Sequence, residues 1–171
     1  MKKLIFVNGT MGAGKTTVCR LLRDQLAPCA FLDGDWCWDM APFSVTEENK
    51  TMVMDNIAYL LRSFLNNSSF EHVLFCWVMQ DEAIAEHILE RLQGCSYELY
   101  FFTLLPDEDT LRARLEKDVR AGLRTADVIP RSIARLPLYQ NMTTEKIEVS
   151  HLTAQETALL LERLVRCGRG I

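Results

Sequence analysis

The chain has 171 residues, 49% of them apolar and 25% charged, a length and balance that suit one soluble domain with a full core. Its 19 Lys and Arg against 23 Asp and Glu give a net charge of −4, which argues against a general nucleic-acid or membrane surface. No apolar run approaches bilayer-spanning length, and the apolar stretch after Met1-Lys2-Lys3 stops at Asn8-Gly9, too early for a secretory leader; a cytoplasmic location is expected.

In chain order, the first expected strand covers residues 3–8 and runs directly into Gly9-Thr10-Met11-Gly12-Ala13-Gly14-Lys15-Thr16, followed by Thr17 and a helical pattern over 15–26. This fits G-x-x-x-x-G-K-[ST], the Walker A loop, between a strand and a helix. The strand aims the loop, glycines let backbone N–H groups converge on an anion, and the helix start adds its positive dipole end. In this reading residues 9–17 hold a nucleotide polyphosphate. Lys15 reaches the β- and γ-phosphates, and the Thr16 hydroxyl ligates Mg²⁺.

The second expected strand, 29–33, ends in Phe31-Leu32-Asp33-Gly34-Asp35-Trp36-Cys37-Trp38-Asp39. Two carboxylates at a strand's C-terminal edge face the phosphate loop. One suits a magnesium site; the other suits a general base for an attacking hydroxyl. Asp35 is favoured as base and Asp33 as metal-side ligand, against the plainer alternative of an Asp-Gly turn capping the next segment. Trp36, Trp38 and Phe43 form either a substrate wall or loop packing.

Helices are expected at 46–65, 81–92, 107–121, 130–140 and 153–167, and strands at 72–77, 98–103 and 146–149. Thr46 with Asn49 marks one helix start, and Thr153 with Glu156 is a capping box. Short apolar runs alternating with longer amphipathic ones argue an α/β fold with a parallel sheet. The end of the third strand reads Trp77-Val78-Met79-Gln80, and the first acids after it, Asp81 and Glu82, sit where helix capping explains them. Residues 112–135 hold seven basic side chains and three acids. Arg120 and Arg124 bracket Gly122 and suit a mobile lid over phosphates; Arg135 is next in line, and Arg112 is expected to pair on the surface with Glu116. Six cysteines show no metal-ligand spacing and read as structural thiols.

With this phosphate loop, Asp33-Gly34-Asp35 and the arginines around Gly122, the chain resembles small-molecule kinases of the nucleoside-monophosphate-kinase-like group, such as gluconate, shikimate and adenylylsulfate kinases and chloramphenicol phosphotransferase-like enzymes. The resemblance implies a three-layer P-loop fold in one domain over 1–171, with a lid around 112–135 and helices on both faces of a five-stranded parallel sheet of order 2-3-1-4-5. It further implies an ATP–Mg²⁺ donor, a small-molecule acceptor near Asp35, and Arg120 and Arg124 in the lid; Trp36, Trp38 and Arg135 are candidate acceptor-side residues from the sequence pattern itself. Two departures stand out. The Asp-Gly-[Phe/Tyr]-Pro-Arg segment of adenylate-type kinases is absent after the third strand, and Trp36 replaces the basic or histidine residue that follows Asp-Gly-Asp in the sugar and sulfate kinases. Asn-Lys-x-Asp, the guanine signature, is also missing. The expected function is transfer of the γ-phosphoryl group to an acceptor hydroxyl. The alternatives are an ATP-binding regulatory module and a toxin-type kinase acting on a sugar nucleotide.

Overall fold

Alternate residues of each strand are buried on opposite faces of one sheet, which is why the strands read as nearly continuous apolar runs. In a computed structural model describing residues 1–168, the strands are β1 (Lys2–Asn8), β2 (Cys29–Asp33), β3 (His72–Cys76), β4 (Tyr97–Leu105) and β5 (Glu145–Glu148). The helices are α1 (Lys15–Gln25), α2 (Glu47–Asn66), α3 (Glu82–Arg91), α4 (Glu108–Arg120), α5 (Val128–Ala134), α6 (Leu136–Gln140) and α7 (Ala154–Arg166). All pairings are parallel and the order is β2-β3-β1-β4-β5. Ile5, Val7, Tyr100 and Phe102 face α1 and α7 through Leu22, Leu161 and Val165. Leu4, Phe6, Phe75 and Phe101 face α2 and α3 through Ile57, Leu61 and Ile88. The strands after β1 diverge to its two sides, so the loops at the C-terminal edge open a crevice beside it.

Local chemistry sets the helix starts. Thr46 accepts from Asn49 N, and Thr153 with Glu156 forms the reciprocal capping box. Asp81 accepts from Ala83 N, so the acid after β3 is indeed a cap. No helix among the described residues is long and apolar enough to cross a membrane.

Several expectations are corrected. The helix expected over 130–140 is two, α5 and α6, because Pro137 brings no N–H and its ring crowds the preceding turn. β3 ends at Cys76 rather than Trp77, and β4 is longer than expected at both ends. The capping alternative for Asp33-Gly34-Asp35 is present: residues Gly34–Trp38 form a short 3-10 helix, with Asp33 accepting from Asp35 N as its cap. Arg112 pairs with Glu108 at 2.7 Å, not with Glu116.

Gly34 sits against the indole of Trp77. A Cβ there would lie 2.5 Å from Trp77 Cγ. Gly34→Ala is therefore expected to displace the ring and destabilise the fold by about 1–3 kcal/mol, read as a lower thermal midpoint with altered tryptophan fluorescence.

Candidate active site

The phosphate loop hangs between β1 and α1 and is braced from α4. Gly12 has φ +82° and lies so close to α4 that a Cβ would stand 2.7 Å from Leu115 Cδ2, so this position needs glycine for both conformation and space. Thr10 is buried, and its hydroxyl donates to Ser132 O at 3.2 Å, tying the loop to α5. Thr10 and Gly9 therefore face the protein; Gly9 is packed on β4, where a Cβ would meet Leu104 O at 2.8 Å. Ala13 is also buried.

A cavity of about 350 Å³ opens over the loop. Its floor is Met11, Gly12, Gly14, Lys15, Thr16 and Thr17; Asp35 and Val78 close one side, and Arg114, Lys117, Asp118 and Arg124 the other. Lys15 Nζ donates to the loop's own carbonyls, Gly9 O at 2.8 Å and Thr10 O at 3.0 Å. Its third donor is left for the cavity. Burial pulls the Lys15 pKa down from the usual lysine value, and the negative potential of Cys76, Asp35 and Asp33 opposes that shift.

Thr16 Oγ1 donates to Asp33 Oδ2 at 2.7 Å, joining the start of α1 to the end of β2. That bond uses the hydroxyl proton and leaves its lone pairs to accept a cation, while Asp33 supplies a buried carboxylate beside it. Two oxygen donors of this kind suit a hard divalent ion. Among the described residues no cluster of three His, Cys, Asp or Glu is placed to hold a metal, so further ligands would come from phosphate and water.

Asp35 opens into the cavity and receives a hydrogen bond from Trp77 Nε1 at 3.1 Å. Desolvation raises its pKa above the ordinary aspartate value and Asp33 pushes the same way; Lys15, the Trp77 bond and Arg124 oppose them. A carboxylate whose pKa is raised in this way is a stronger proton acceptor than an ordinary aspartate. Cys37 is a poor nucleophile, because burial and the nearby Asp33 push its thiol up.

Beyond Asp35 lies a second cavity of about 590 Å³, reached past Met11 and Val78, which line both. The expected substrate residues Trp36, Trp38 and Arg135 line it, together with Asp39, Phe43, Trp77 and Gln80. Asn8 shapes this wall. Its side chain donates to Met79 O at 2.8 Å and accepts from Met79 N at 2.9 Å, pinning the segment after β3 to the end of β1.

Arg120 is the expected lid residue that does not line either cavity. At 3.6 residues per turn it lies about 200° around α4 from Asp118, and it is exposed. Arg114 takes the place expected of it: its guanidinium donates to Ala13 O at 3.3 Å and Val149 O at 2.9 Å, linking the loop to the β5–α7 connection. Arg124 does line the phosphate-loop cavity and is bound to Asp118 at 3.1 Å. Sequence reasoning passed over Arg114, Lys117 and Trp77. The buried spacing Leu111–Leu115 was the available signal for the phase of α4.

These features define a P-loop α/β protein with the fold of the nucleoside-monophosphate-kinase-like group. A family model described as an AAA domain matches residues 5–125, and the chain belongs to that family. No curated protein matches it. Solved structures share the fold over nearly its full length. A tunicamycin resistance protein from Deinococcus radiodurans has TM-score 0.70 at 18% identity, covering 98% of this chain and 96% of that one. Shikimate kinase from Acinetobacter baumannii, solved in complex with shikimate, has TM-score 0.66 at 21% identity, covering 99% and 96%. An APS kinase from Mycobacterium tuberculosis, solved with AMPPNP and APS, has TM-score 0.67 at 16% identity, covering 96% and 98%.

Proposed function

We propose that the protein is an ATP-dependent phosphotransferase that moves the γ-phosphoryl group to a hydroxyl of a small-molecule acceptor. The observation that carries this reading is the position of Asp35, which lines both the phosphate-loop cavity and the aromatic cavity. A hydroxyl presented from the second would meet a phosphoryl group presented from the first, with a carboxylate at the junction. The kinases of the same fold support the reading.

The loop's backbone N–H groups and Lys15 would bind the β- and γ-phosphates, since charged acceptors outcompete the neutral carbonyls that Lys15 now contacts. A groove of about 250 Å³ continues from Gly14, Thr17 and Arg114 to Val149, Leu152 and Thr157, and offers room for the base. Thr16 and Asp33 would hold Mg²⁺, which when bound offsets charge on the phosphate oxygens. As the acceptor oxygen bonds to the γ-phosphorus, its proton passes to Asp35 and the bond from phosphorus to the β-bridging oxygen breaks, releasing ADP. Asp35 then returns the proton to solvent. Arg124, Arg114 and Lys117 would stabilise negative charge on the transferring oxygens, and Arg120 would join them only if the lid moves.

Calorimetric titration with MgATP is expected to give saturable binding. No heat with either ATP or GTP on folded protein would overturn the proposal.

A further inference from the structure

The aromatic cavity is lopsided in its chemistry. Its walls are the indoles of Trp36, Trp38 and Trp77 with the ring of Phe43. Each of these four rings has an aromatic neighbour. Phe31 meets Trp36 edge-on at 5.3 Å, Phe75 stands 6.5 Å from Trp77, and Phe43 tilts onto Trp38 at 5.8 Å. Trp36 and Phe43 are nevertheless 51% and 66% exposed, so large apolar faces look into the opening. Against this area stand few polar groups: Asp35 at the phosphate end, with Asp39, Gln80 and Arg135 elsewhere in the lining.

Among the described residues Arg135 is unpaired, as are the exposed Arg120 and Lys117, but of these only Arg135 lines the aromatic cavity. Arg112, Arg124 and Arg131 are each bound to a carboxylate, Glu108, Asp118 and Asp127. Among the described residues the guanidinium of Arg135 has neither an ion pair nor a hydrogen-bond acceptor. A half-buried fork of N–H donors in a mostly aromatic cavity calls for an anion.

We infer that the acceptor is a flat, sparsely hydroxylated aryl or heteroaryl alcohol, its hydroxyl at Asp35 and an anionic group such as a carboxylate at Arg135. The inference rests on the reading of Asp35 as the group that receives the acceptor hydroxyl. A polyol between these rings would turn several hydroxyls toward indole faces and forfeit their bonds to water. A planar ring loses nothing there, and stacks on rings already held in place.

All three tryptophans of the chain line this cavity, so intrinsic fluorescence reports its occupancy without any requirement for turnover. Para-hydroxymethylbenzoate is expected to change the fluorescence saturably in the millimolar range, benzyl alcohol to bind roughly tenfold more weakly for want of the charged contact, and gluconate to give no change. Arg135→Gln should remove the preference for the carboxylate, and Arg135→Lys, which keeps the charge, should retain most of it. Trp38→Ala should weaken the aryl carboxylate roughly tenfold, with Trp38→Phe close to the parent. Binding of gluconate as tight as that of the aryl acid, silence toward both aryl probes, or an undiminished preference in Arg135→Gln would overturn the acceptor class. If MgATP heat persists in that case, phosphotransfer survives and only the acceptor class falls; if MgATP heat is also absent, both fall.

Discussion

Lys15→Ala is expected to abolish measurable phosphoryl transfer, lowering turnover by at least about 100-fold, the usual loss when one charged or polar donor to developing charge is removed. Lys15 is the cation that rises from the loop itself, and its Nζ already lies within 3.0 Å of two loop carbonyls. The remaining cations reach the same cavity from α4 and the segment beyond it, too indirectly to stand in at the β–γ bridge. Burial lowers the Lys15 pKa, and the negative potential of Cys76, Asp35 and Asp33 opposes that shift; an arriving polyphosphate adds to the opposition. ADP release in a coupled assay measures the turnover, and calorimetry with MgATP should show much weaker binding. Undiminished turnover in Lys15→Ala would mean that the loop holds something other than the transferred phosphate.

How much of this was legible in the sequence depended on how local each feature is. The loop between β1 and α1 is contiguous, so its motif carried its geometry. Asp33 and Asp35 were legible because the C-terminal end of a strand in a parallel sheet faces the site. Asp33 makes two local bonds there: it caps the 3-10 helix through Asp35 N and accepts from Thr16 at the start of α1. Trp77 was not legible. It is 42 residues from Asp35, and only the insertion of β3 between β2 and β1 brings its indole N–H to that carboxylate. Arg120 was singled out because it brackets Gly122 with Arg124, which ignores the phase of α4; it is Arg114 that lines the cavity. That phase is set by Leu111 and Leu115, which bury one side of α4 and turn Arg114 toward the loop. Pro137 was visible in the sequence as a helix breaker, and the single helix expected over 130–140 underweighted it.

Asp35→Asn separates the base from the rest of the machinery. The amide keeps the shape and can still accept from Trp77 Nε1, but it cannot take a proton from the acceptor. Turnover should fall by about 10²–10⁴, the usual contribution of a positioned base, while MgATP binding stays close to that of the parent. The parent's rate should fall on the acid side as Asp35 is protonated, with a midpoint above that of an ordinary aspartate because desolvation and Asp33 both favour its neutral form. The same shift has a stability consequence of definite sign. A carboxyl whose folded pKa is raised stabilises the fold relative to higher pH when it is neutral, below the unfolded aspartate pKa, and that contribution is lost as pH rises through the folded pKa. At neutral pH the ionised Asp35 therefore costs stability, and Asp35→Asn should melt at a higher temperature than the parent, the gap closing as the pH is brought below the range of ordinary carboxylates. A variant that loses transfer, keeps nucleotide and melts higher only above that range is what a strained catalytic carboxylate requires. Full turnover by Asp35→Asn, or a melting temperature lowered at every pH, would instead make Asp35 a structural partner of Trp77.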